Sequence, residues 1–215
     1  MRILVVDDHD VVRRGLRSVL EAHQGWEVCA EAANGRNAVT QAEQLKPDVV
    51  VMDISMPDMN GLEAARQIKK ICPKAEIVIL SVHFSDQLVR DIVDAGAKSY
   101  ILKSDAERDL VIAVEAVANH RSYFTTQVSE MVMDGFRRRD TAPSPQALKR
   151  ERLTSREREI VQLLAEGRSS KQVATTLGIS TKTAETHRAN IMRKLEIHSV
   201  SDLVRYAVRN QIIEA

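Results

Sequence analysis

Five short apolar runs, each followed by an amphipathic stretch, fill the first 120 residues: "RILVV" (2–6), "WEVCAEA" (26–32), "DVVVMD" (48–53), "EIVILS" (76–81) and "SYILK" (99–103). Side chains alternate between the two faces of a strand, so runs that are apolar on successive residues belong to strands covered on both sides. The stretches between them read as helices, two of them opening on capping pairs, Asn60 with Glu63 and Ser104 with Glu107. Five strand–helix units predict an α/β fold, a doubly wound five-stranded parallel sheet.

The ends of those runs carry the chemistry. Asp7 and Asp8 stand side by side where the first run stops, and Asp53 ends the third. Adjacent like charges repel, and each loses solvation beside a buried strand. With strand order 2-1-3-4-5, the first and third strands flank the switch point, where ligands bind beyond the C-terminal strand ends. Three carboxylates converging there require a cation, and an all-oxygen donor set suits Mg²⁺. Ser81 closes the fourth strand with a hydroxyl and Lys103 the fifth with an ammonium. Such a set can hold a phosphoryl group. Asp53 is the residue placed to attack phosphorus, with Mg²⁺ and Lys103 neutralising the transferred oxygens.

From Tyr123 onward the β-runs stop. Residues 125–136 can form a further helix, and "RRRDTAPSPQALKRER" (137–152) reads as a flexible linker. The remainder is helical by pattern: Thr154 with Glu157 and Ser169 with Gln172 are capping boxes, and Gly167 and Gly178 are stops. The domain bounds expected are 1–122, a linker over 123–152, and a four-helix unit over 153–215. Net charge follows that division. Residues 1–120 carry 14 Lys+Arg against 19 Asp+Glu, or −5, and residues 121–215 carry 17 against 11, or +6. A basic C-terminal part suits nucleic acid. Two helices split by "LGIS" have the helix–turn–helix form. The second opens near Thr181, with Ala184, Ile191 and Leu195 inward and Lys182, Glu185, Thr186, Arg188 and Ala189 outward. Few aromatics are present to stack single-stranded bases, so double-stranded DNA is the expected partner.

"VVDDHD", "VVMDISMPDMNGLE", "ILSVH" and "GAKSYILK" together resemble the receiver domain of two-component response regulators, over essentially all of residues 1–120. The resemblance implies a flavodoxin-like receiver with Asp53 as phosphoacceptor and Asp8 and Asp53 as direct Mg²⁺ ligands. It adds the backbone carbonyl of Ser55 and makes Asp7 a ligand through water. Ser81 and Tyr100 are then the switch pair and Lys103 the phosphate-binding lysine, with serine standing where many receivers have threonine.

"LTSREREIVQLLAEGRSSKQVATTLGISTKTAETHRANIMRKL" resembles the LuxR-type DNA-binding domain, which makes the whole chain similar to regulators of the NarL/FixJ type. By that resemblance Glu185, Thr186 and Ala189 face bases, and Lys182, Thr183, His187 and Arg188 lie nearer the phosphates. Glu185 departs from many relatives, and an acid there favours cytosine N4. The implied partners are a sensor histidine kinase, double-stranded DNA and a second copy of the chain on DNA.

Other classes fit less well. An Asp-nucleophile phosphohydrolase needs a second carboxylate two residues after the nucleophile, where this chain has Ser55. No G-x-G-x-x-G follows the first strand, which removes a dinucleotide site. The expectation is a regulator rather than an enzyme, cytoplasmic, with no membrane contact.

Overall fold

The computed structural model describes residues 1–82, 85–125, 128–129 and 153–213; of the side chains, those of residues 86 and 87 are also outside the description. Two compact units emerge, residues 1–139 and 140–215.

In the first unit the strands are β1 (Arg2–Val6), β2 (Glu27–Ala32), β3 (Val49–Asp53), β4 (Glu76–Ser81), β5 (Ser99–Leu102) and β6 (Tyr123–Phe124). They form one parallel sheet in the order β2-β1-β3-β4-β5-β6. The helices are α1 (Asp10–Glu21), α2 (Gly35–Leu45), α3 (Gly61–Ile71), α4 (Asp86–Asp94) and α5 (Ala106–Ala118). The apolar runs divide residue by residue between two cores. Leu4, Val6, Val50, Met52, Ile77 and Ile79 pack with α2, α3 and α4. Ile3, Val5, Val49, Val51, Val78 and Leu80 pack with α1 and α5. A parallel sheet buried on both faces demands that composition, and each fully buried Val, Leu or Ile contributes about 1.5–3 kcal/mol of transfer free energy.

Two expectations need correction. The sheet has six strands, not five, because Tyr123 and Phe124 pair with Ser99 and Tyr100 after the helical run ends. Ser104 caps nothing: Lys103–Asp105 form a 3₁₀ turn, and α5 opens after Asp105 without a side-chain cap. That turn leaves β5 at Lys103 and lets the lysine side chain fold back over the strand ends. Of the helix expected over 125–136, Val128 and Ser129 are described and helical; residues 126, 127 and 130–152, the linker included, lie outside the described residues.

The second unit holds α6 (Ser155–Ala165), α7 (Ser170–Leu177), α8 (Thr181–Lys194) and α9 (Val200–Arg209) around Ile160, Leu163, Val173, Ala184, Ile191, Leu203 and Ala207. Both capping boxes form: Thr154 and Ser169 accept from the backbone N–H three residues on, and Glu157 and Gln172 accept in return. Gly178 ends α7 at φ +63°, a left-handed position that glycine takes at no steric cost.

Candidate phosphoacceptor site and DNA-reading helix

Beyond the C-terminal ends of β1, β3 and β5, three sequence-predicted residues meet. Asp7 is fully buried and Asp53 is 2% exposed. The Lys103 ammonium lies 2.7 Å from Asp7 Oδ2 and 2.9 Å from Asp53 Oδ2. Asp53 is reached because the chain folds back tightly after β3. Gly61 N–H donates to the Ile54 carbonyl at 2.8 Å. A Cβ at Gly61 would sit 1.9 Å from the Asp53 carbonyl oxygen, so only glycine fits there.

Asp53 is held by opposing forces. Burial is the largest and raises its pKa; the Lys103 ammonium and the Ser55 N–H pull it down, and the net result is about 6. Burial also works against the Lys103 ammonium, yet Asp7 and Asp53 outweigh it and raise its pKa. Here the sequence expectation is refined: the first cation between Asp7 and Asp53 is Lys103 itself.

Asp8 is arranged differently. Its Oδ1 is buried with no hydrogen bond directed at it, and His9 Nδ1 lies 2.8 Å away. His9 N–H donates to Asp7 Oδ1 at 2.8 Å, and Arg13 Nη1 donates to the Asp7 carbonyl at 2.7 Å, locking the turn from β1 into α1. Three carboxylates against one ammonium leave a surplus of negative charge, and oxygens of Asp7 and Asp8 fall with His9 in a group whose donor atoms lie within 4.8 Å of one another. The carboxylate oxygens of that group suit a hard divalent cation. His9 was not foreseen as a neighbour of the site, although its place directly after the two carboxylates was the available signal.

Ser81 is 4% exposed and Tyr100 1%. The Tyr100 hydroxyl is hydrogen-bonded to Ser81, and burial pushes its pKa up to about 12. The pair is already coupled, with the aromatic ring turned inward.

In the second unit α8 presents Lys182, Thr183, Glu185, Thr186 and Ala189 to solvent, while His187 and Arg188 are half-buried on its flank. Ala184 and Ile191 hold the opposite face to the core. The Thr186 hydroxyl donates to the Lys182 carbonyl, and the Thr183 hydroxyl bonds Ser180, so both threonines lie against their own helix. Lys182 sits in a first turn with no acidic residue. A cation near the positive end of a helix does nothing for the helix itself, and its exposed charge suits an external anion.

Comparison with known proteins shows the family of both units. The family described as response regulator receiver domain matches residues 3–115, and that described as bacterial regulatory proteins, luxR family, matches residues 151–207. The response regulator protein VraR of Staphylococcus aureus is 37% identical over 214 residues, covering 100% of this chain and 99% of that protein. A LuxR-family two-component response regulator from Aurantimonas sp. SI85-9A1 superposes with a TM-score of 0.59 at 34% identity, over 62% of this chain and 96% of the other. The RcsB response regulator in complex with DNA matches with a TM-score of 0.57 at 25% identity, over 96% of each chain. A receiver whose strand ends gather Asp7, Asp53 and Lys103, joined to a luxR-type helix–turn–helix unit, makes this chain a member of the two-component response regulators, a DNA-binding regulator of transcription and not an enzyme.

Proposed function

We propose that Asp53 is the phosphoacceptor and that its phosphorylation controls DNA binding through α8. The observation that carries this is the Lys103 ammonium shared by two buried carboxylates at the switch point. In the transfer an Asp53 carboxylate oxygen attacks phosphorus, the bond from phosphorus to the donor breaks, and an acyl phosphate forms on Asp53. The donor in the cell is the phosphohistidine of a sensor histidine kinase. Asp8, Asp53 and the Ser55 carbonyl would hold Mg²⁺ directly, and Asp7 would hold it through water. Bound there, the ion supplies charge neutralisation for the phosphoryl oxygens. Lys103 moves from its carboxylate partners to a phosphoryl oxygen, and the Ser81 hydroxyl donates to another. Tyr100, bonded to Ser81, follows that hydroxyl.

At the other end, the exposed face of α8 enters the major groove. Lys182, Thr183, His187 and Arg188 contact the backbone, and Glu185, Thr186 and Ala189 face base edges. The resemblance to RcsB, which is known in complex with DNA and as dimers bound to DNA, supports DNA as the ligand and two copies of the chain as the binding form. A regulator that binds DNA works in the cytoplasm. No described helix is long and apolar enough to cross a membrane.

The test incubates the full chain with a small phosphodonor and Mg²⁺, then titrates it onto an operator found by selection from random duplexes. Labelling should disappear in excess chelator and in Asp53→Asn, and phosphorylation should tighten DNA binding. Labelling that survives either change overturns the assignment of Asp53. Equal DNA affinity with and without phosphate overturns the control.

A further inference from the structure

We propose that Phe124 and Val128, where the chain leaves the receiver for the DNA-binding unit, are positioning residues that hold Tyr100 in its inward, Ser81-bonded place. The proposal rests on the reading of Ser81 and Tyr100 as the switch pair. Tyr100 and Phe124 are register partners on the adjacent parallel strands β5 and β6, so their side chains fall on one face of the sheet. Tyr100, Phe124 and Val128 all join the core formed with α2, α3 and α4, and Val128 is 2% exposed. Tyr123, by the alternation of the strand, faces the opposite core and packs there.

Two residues cannot hold a strand by themselves. The backbone bond from Tyr123 N–H to the Lys98 carbonyl, 3.0 Å, and the packing of Phe124 and Val128 attach this one. On its other side Tyr100 is backed by its register partner Ile79 in β4. Without β6, β5 would be the edge of the sheet and the ring would border open solvent. The volume a tyrosine needs to swing outward is therefore on the side that β6 closes, so the position of the switch ring and the docking of this segment depend on each other.

The test labels the full chain with 3-fluorotyrosine and follows Tyr100 by ¹⁹F NMR. Its signal is identified with Tyr100→Phe among the three tyrosines of the chain. Exposure is read from the shift between light and heavy water. In the wild type Tyr100 should be protected. Phe124→Ala should raise the solvent-exposed fraction about ten-fold above the minor population usual for such a conformer. Phe124→Leu should restore protection, which loss of general packing would not predict. Val128→Ala should act in the same direction with smaller size, and serves if Phe124→Ala does not fold. Protection of Tyr100 unchanged in both alanine variants overturns the proposal. Mg²⁺ with beryllofluoride, a phosphoryl mimic, separates it from the reading beneath it. If the mimic shifts the wild-type signal while the alanine variants leave Tyr100 protected, the switch pair stands and positioning falls. If Phe124→Ala exposes Tyr100 and the mimic never draws it back, positioning stands and the switch pair falls.

Discussion

The sites of the two units place their charge in opposite settings. The receiver places Asp7 and Asp53 at strand ends inside the protein and balances them with one ammonium at 2.7 and 2.9 Å. The helix–turn–helix unit leaves cations of its reading face outside: Lys182 stands exposed on α8, whose Ala184 and Ile191 face the core. Buried charge is sensitive to each change of charge beside it, because the interior screens poorly. Exposed charge acts on whatever approaches and costs the fold almost nothing. A switch belongs in the first setting and a reader of an anionic polymer in the second.

The largest break in that contrast is Asp53→Asn. It should abolish phosphoryl incorporation from a small donor, read by phosphate-affinity electrophoresis, and leave the melting of the DNA-binding unit in place. Lys103→Ala comes next. It strips two buried carboxylates of their shared partner, and a broken buried pair costs about 3 kcal/mol. Chemical denaturation in chelator should show that loss for the receiver transition, and Mg²⁺ should recover part of it. An unchanged midpoint in chelator would mean that the ammonium is not the balancing charge.

A smaller effect separates the units by pH. The Asp53 pKa is raised to about 6 by burial, so its contribution to stability is present below the unfolded carboxylate value and lost as pH rises through about 6. In Glu157 burial pushes the pKa up, but Lys194 at 2.7 Å and the Thr154 N–H outweigh it and lower it. Its contribution is present above the unfolded glutamate value and lost as pH falls through the lowered one. In metal-free protein, pH-dependent denaturation should therefore show Asp53→Asn flattening the receiver's loss of stability on raising pH. Glu157→Gln should flatten the other unit's loss on acidification. The same sign of change in both would break the comparison.

The smallest effect on the fold is at Lys182. Lys182→Ala should leave stability within about 0.5 kcal/mol and lower the slope of log affinity against log salt by about one. Fluorescence anisotropy across a salt series reads that slope. Glu185→Gln should instead change preference at one base position per half-site; uniform weakening across sequences would displace Glu185 from the bases.

Much of this was legible in the sequence for local reasons. Continuous apolar runs state that both faces of a strand are covered, and the two cores take alternate residues of β1, β3 and β4 as that implies. The capping boxes at Thr154 and Ser169 are local bonds and form as spaced. What misled was also local in appearance. "SYF" carries no apolar run, and Tyr123 and Phe124 become a strand only because the edge of β5 is there to pair with. Ser104 has capping chemistry, but the chain must turn at Lys103 for the lysine to reach Asp7 and Asp53, and the turn occupies the cap's place.

Periodicity and bonds within a few residues were enough to give the first five strands and their helices in order, the faces they bury, and the carboxylates at the ends of β1 and β3; they did not give β6 or the 3₁₀ turn at Lys103. It took the folded chain to show that Lys103 divides itself between Asp7 and Asp53 while Asp8 turns to His9. The same fold sets Tyr100 inward against Ser81, beside a sixth strand. The contacts of Lys103 and the strand beside Tyr100 join residues far apart in the chain, and Asp8 and His9, though adjacent, meet as the turn out of β1 places them, so the packing of the strand ends decides which charge meets which.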